Sequence, residues 1–134
     1  MTRANTIRVI VDGTTTSLPA VRETTAQVLD DWEVDHRRAD ALLVVDELVT
    51  NSGRHVGGDV VIDLTLQGDV LRIVVSDRDP DFRVHSHRPP TERYGLRIVD
   101  ASVDRWGVAA IAGDAVGKAV WAEFDLTPLA LAPD

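Results

Sequence analysis

The chain has 134 residues, enough for one domain, and 44% apolar content supplies one real core. A formal net charge of −8 argues against a nucleic-acid binder that relies on bulk charge, and the absence of cysteine removes disulfides, thiolate metal sites and cysteine nucleophiles. The N-terminal stretch MTRANTIRVIVDG lacks an apolar run with a cleavage site, and no segment approaches a membrane span, so a soluble, cytoplasmic protein with no membrane contact is expected.

In chain order, Thr6 to Asp12 reads as a short strand, followed by the turn-prone DGTTTS. Ser17 or Leu18 with Pro19 marks a helix start, and Leu18, Val21, Val28, Leu29 and Trp32 recur at helical spacing up to a break near DWEVD. A longer helix is expected from about Arg37 to His55, stopping at Gly57-Gly58. The period then changes to two. Val60, Ile62, Leu64 and Leu66, a turn at Gln67-Gly68-Asp69, and Leu71, Ile73 and Val75 make a β-hairpin. Residues 78–93 hold three prolines and four arginines without periodicity, the composition of a functional lid. A third helix is expected over Tyr94 to Asp104, then strands over Trp106 to Ala112 and Lys118 to Leu126. The order β-α-α-β-β-loop-α-β-β predicts an α+β two-layer sandwich, one sheet with its helices on one face.

Within the second helix, DELVTNSGRH sets Glu47, Asn51 and His55 at i, i+4 and i+8, one stripe along the helix. Leu42, Val45, Leu48, Val49 and Val56 form the apolar face, and Asp46, Thr50 and Arg54 lie opposite. The stripe runs along the border between the two faces. Read alone, such residues are what any amphipathic helix carries at its boundary; a border stripe also suits the wall of a cleft. Three other features favour the cleft. Strand alternation turns Asp77, which ends the second hairpin strand, toward the helix layer. An arginine-bearing loop follows it, and Gly95 lets the backbone approach a ligand at a helix start, where free N–H groups favour anions. Together they predict a pocket for a phosphate-bearing ligand.

Other motifs carry less. GDAVGKA has three residues between its glycines where a P-loop has four, lacks the hydroxyl that binds Mg²⁺, and precedes a strand. Gly117-Lys118 reads as a hairpin turn, with Lys118 the single lysine of the chain. His85-Ser86-His87 has no third metal ligand and reads as a solvated loop pair. Trp32, Trp106 and Trp121 sit on different elements and read as packing residues.

DELVTNSGRH, VVSDRDP, YGLRIVDASVDRWGV and GKAVWAEFDL, in this order and spacing, resemble the ATPase domain shared by gyrase, histidine kinases and mismatch-repair ATPases. The short single-domain form resembles the anti-sigma-factor serine kinases, actinobacterial regulators above all, over roughly Ser17 to Leu126. The resemblance implies the histidine-kinase-like ATPase (Bergerat) fold with a mixed, mostly antiparallel sheet. It implies ATP and Mg²⁺ as cofactors, and a sigma factor and an anti-anti-sigma (STAS-type) protein as partners. Nucleic acid is not contacted directly, and a homodimer is left open. Position by position, it implies that Asn51 ligates Mg²⁺ and that Glu47 is the general base for a partner's serine. Asp77 would accept from the adenine amino group, and Gly95 and Leu96 would offer N–H groups to the phosphates. His55 and Lys118 would lie beside the nucleotide. The chain departs from the pattern at Asp79 and Asp81, where Asp-x-Gly-x-Gly has glycines. It departs also at Arg93, in place of the first glycine of Gly-x-Gly-Leu, and at Ala119, where many relatives have a hydroxyl expected on the adenine side. A binding module of the same fold that regulates by protein contact alone, without phosphoryl transfer, is the alternative.

Overall fold

The computed structural model describes residues 4–12, 18–55, 58–79, 91, 96–111 and 117–127, with backbone alone for 53–55. The elements are β1 (Ala4–Asp12), α1 (Leu18–Asp31), α2 (Arg38–His55), β2 (Asp59–Gln67), β3 (Val70–Asp77), α3 (Arg97–Ser102), β4 (Arg105–Ala110) and β5 (Lys118–Asp125). Their order is the expected one. The third helix is shorter than its apolar spacing suggested, one and a half turns, because Val103 returns to extended backbone. Of the expected lid, only Arg78, Asp79 and Thr91 fall within the described residues.

The five strands form one sheet in the order β1-β2-β3-β5-β4. Every pairing is antiparallel, so the expected mixed sheet is corrected to a purely antiparallel one. Alternation decides the layers. Along β2 and β3 the buried residues are Val60, Ile62, Leu64 and Leu71, Ile73, Val75, Asp77, which all face the helices. The other face is open, and Trp121 lies across Gly107 there, where an added Cβ would sit 2.8 Å from the indole nitrogen. Arg72 stacks on that indole at 5.0 Å.

α1 buries Val21, Thr25, Val28 and Leu29 at helical spacing, with Pro19 in its first turn. It stops without a glycine. Glu33 takes the left-handed conformation at φ 57°, its N–H donates to the carbonyl of Asp30, and the N–H of Val34 donates to that of Leu29 at 2.8 Å. This is the Schellman pattern, and Leu29 and Val34, the two residues it joins, are both buried in the core.

α2 is the helix on which the site depends. It buries Ala41, Val44, Val45, Leu48 and Val49 and packs on β3, β2, α1 and α3. Leu42 is only half-buried, so the apolar face is rotated from the expected one toward Ala41 and Val44. The start of α2 is tied down by Arg37, whose guanidinium pairs with Asp104, donates to the carbonyl of Ser102 at 2.6 Å and covers the ring of Phe124 at 4.9 Å.

On the open face the ends of β4 and β5 are joined by charge. Arg105 donates to Glu123 at 3.0 Å and to both oxygens of Asp125, and Arg72 donates to Glu123 at 2.9 Å. The Arg105 hydrogen bond, with help from Arg72, holds the Glu123 carboxyl below the usual carboxylate range, and Arg105 does the same to Asp125. A depressed folded-state pKa adds stability above the unfolded value, near pH 4, and loses it as pH falls through the folded value. Arg105→Gln should therefore lower the thermal midpoint at neutral pH, and the deficit should shrink as pH falls below the usual carboxylate range, as melting curves across acid pH will test.

Candidate functional site

Three chain crossings bring the candidate residues to one end of the sheet. α2 ends at His55 and a short link leads into β2, whose start lies opposite the end of β3 (Val61 opposite Ser76). β5 begins beside the same point, with Lys118 directly opposite Asp77. The C-terminal part of α2, the end of β3 and the start of β5 thus share one end of the helix layer.

Asp77 and Lys118 form a buried ion pair there, with 2% and 0% of their surface exposed. Asp77 uses both oxygens. Oδ2 accepts from the Lys118 ammonium, and Oδ1 accepts from the backbone N–H of Asp79 at 3.0 Å, an Asx turn. Asp79 is itself 4% exposed, and its Oδ2 stands 3.9 Å from the same ammonium. Two carboxylates therefore flank one cation in a place that water does not reach. Asp79 was absent from the sequence-derived set, although its position two residues past Asp77, where a side-chain carboxylate caps the N–H at i+2, was the available signal.

Gly117 makes this junction possible. Its φ of 152° suits glycine, and an added Cβ would meet the carbonyl oxygen of Asp77 at 2.1 Å and the Cα of Arg78 at 3.0 Å. The backbone of β5 is pressed onto the end of β3. Position 119 then points to the opposite face, paired with Ser76 and Ala109. The hydroxyl expected at Ala119 would consequently face away from Asp77. The residue sharing Asp77's face is Lys118.

On α2, Asn51 is 5% exposed and Ser52 1%, while Glu47, one turn before Asn51, is half-exposed. The expected border stripe is split: the amide goes inside and the carboxylate stays in reach of solvent. The side chain of His55 lies outside the described residues, as do Gly95 and Arg93. Leu96 belongs to the core at 0% exposure, and its N–H donates to the carbonyl of Thr91 at 2.9 Å, so here that donor is used within the chain. Trp106 pins α3 to β4 through a 2.7 Å bond from its Nε1 to Asp100.

A cavity of about 400 Å³ opens on the other face of the sheet, lined by Arg8, Ile10, Asp59, Val61, Asp63, Ser76, Asp77, Arg78 and Ile111. Asp77 borders this cavity at the end of β3, whereas Lys118 and Asn51, buried in the helix layer, do not line it. Among the described residues no cluster of three His, Asp or Glu side chains could cage a metal, and no helix is long and apolar enough to cross a membrane.

No protein-family model matches the sequence, and no curated protein matches it. Among solved structures, the chain superposes on the crystal structure of the RsbU and RsbW domains of Rv1364c from Mycobacterium tuberculosis with a TM-score of 0.70. The identity is 23%, and the match covers 97% of this chain and 35% of that one, so this chain spans about a third of its neighbour's length. At that identity the likeness establishes the fold, and the fold is the one the sequence motifs implied.

The ion pair has a cost that a variant will expose. Truncating one partner of a buried pair leaves the other charge uncompensated, at about 3–5 kcal/mol. Asp77→Ala leaves Lys118 beside Asp79 at 3.9 Å without its close partner and should lose stability of that order in urea titration. Ala119→Thr should be near neutral in the same assay, because its side chain faces the open side.

Proposed function

We propose that this chain is an ATP- and Mg²⁺-dependent serine kinase of the anti-sigma type, phosphorylating an anti-anti-sigma protein and binding a sigma factor. One observation carries the reading: a buried amide, Asn51, and a half-exposed carboxylate, Glu47, stand one turn apart on the helix over β3, at the end of the sheet where Asp77 is buried. The fold shared with the RsbW domain supports it, as does the order of the four motifs.

The donor set suits the metal. Mg²⁺ takes oxygen ligands, keeps several waters and fills other positions from phosphates, so it needs only one or two protein oxygens. The amide oxygen of Asn51 is such a donor. Bound Mg²⁺·ATP would supply the transferable phosphoryl group and neutralise its charge. Glu47, partly open to solvent, is placed to receive the hydroxyl of an incoming serine, orient it and take its proton. Asn51 and Glu47 thus divide the work, one facing the nucleotide side and the other the partner.

The base side favours the second reading, a module that regulates by contact alone, since both oxygens of Asp77 are engaged inside the chain. Calorimetric titration with ATP and Mg²⁺ separates the two. Under the kinase reading ATP binds, Asn51→Ala abolishes the heat of binding, and Glu47→Ala keeps it while phosphate transfer falls on the order of 10²–10⁴-fold. Normal transfer by Glu47→Ala would remove that residue from its role, and no binding at millimolar ATP would leave the contact-only module.

A further inference from the structure

Asp77 is the carboxylate that the kinase reading reserves for the purine amino group, and the chain already occupies it. We propose that Lys118 is the specificity-determining residue of this site: its ammonium holds the Asp77 oxygen that a purine amino donor would take, and base entry requires it to transfer to Asp79. The inference rests on the nucleotide reading above and adds to it a competitor built into the chain.

A carboxylate only accepts, and Asp77 has two oxygens. Oδ1 is taken by the N–H of Asp79 and Oδ2 by Lys118. A bond from an ammonium to a carboxylate is roughly twice as strong as one between neutral groups, so a neutral amino donor does not displace it on equal terms. The ammonium is also placed by the backbone, since Lys118 lies opposite Asp77 in the ladder and Gly117 is packed against the Asp77 carbonyl. It cannot leave by sliding the strand. What can move is the end of its side chain, and the second acceptor is in place: Asp79 Oδ2, 3.9 Å away and buried. A short swing exchanges one carboxylate for the other without carrying a charge into water. The trio of Asp77, Asp79 and Lys118 sums to −1, the charge of a lone aspartate, so an Asp77 released from Lys118 still faces the base as an anion. Asp79 stands where the Asp-x-Gly pattern has glycine, so the departure from the pattern is itself the receiving acid.

Because Lys118 is the only lysine, ¹⁵N-lysine labelling gives one side-chain ammonium signal, and the unmodified protein can be tested directly. Titration with ATP and Mg²⁺ should shift that signal along the calorimetric binding curve. In parallel, Lys118→Thr and the double variant Lys118→Thr with Asp79→Asn, which keeps the cluster at −1 should the single variant fail to fold, should bind ATP about tenfold more tightly than the parent. If ATP binds the parent while the ammonium signal stays still and the folded variants bind no more tightly, Lys118 is only a structural clasp and the kinase reading survives. Weaker binding by the folded variants makes Lys118 a nucleotide ligand and overturns the competition. If neither parent nor variants bind millimolar ATP, the nucleotide reading falls and the inference with it.

Discussion

A lysine that no water reaches sets the conditions for the rest of this molecule. Removing two charges from water costs several kcal/mol per ion after relaxation, and only close geometry with further hydrogen bonds offsets it. Here the offset comes from the Asp77 carboxylate, the Asp79 N–H that caps it and the second acid nearby. The pair also ties β5 to β3 at the end of their ladder, where Gly117 is pressed against the backbone of Asp77. The β3–β5 register therefore cannot shift by one residue, since a slip would send Lys118 to the open face and bury Ala119 against Asp77.

That register orients everything above it. With β3 fixed, Leu71, Ile73 and Val75 present a flat apolar surface on which α2 lies through Val44, Val45 and Leu48. The rotation of α2 decides which polar residues go inside. Its buried face centres nearer Val44 than Leu42, which takes Asn51 into the layer and leaves Glu47 half-exposed. A helix turned the other way would have hidden the carboxylate and exposed the amide, and the division between a buried amide and an accessible carboxylate would be lost.

Most of this arrangement was legible from period alone. Alternation in residues 60–77 gave the hairpin and the direction of Asp77, because a two-residue period leaves no freedom about face. The break of α1 was legible as an interruption of the apolar pattern, but its cause was not, since Glu33 fills a left-handed position that glycine usually takes. The burial of Lys118 could not be read from one sequence. Lysine is almost never buried unpaired, and its partner lies 41 residues away. The same blindness to register hid that position 119 faces away from Asp77, since a displacement of one residue reverses the face. Asn51 was misplaced for a milder reason. A 100° period locates a stripe to within about one residue's rotation, and packing against α3 as well as β3 widens the buried arc past the border.

The two ends of the sheet are built on opposite electrostatic plans. At the end where α2 begins and β5 finishes, Arg37, Arg72 and Arg105 hold Asp104, Glu123 and Asp125 in half-exposed, multiply connected pairs. Such pairs are individually weak and screened by salt, so that end is secured by number and can lose one member cheaply. At the other end a single cation is buried between two acids, where little screening reaches and one contact decides the local charge. A rearrangement there need not disturb the far end, because the sheet and α2 are anchored independently by Arg37. The geometry confines change to the few atoms at the tip of Lys118 while the strands carrying them stay still, so the clasp on Asp77 can shift between two acids without the fold shifting with it.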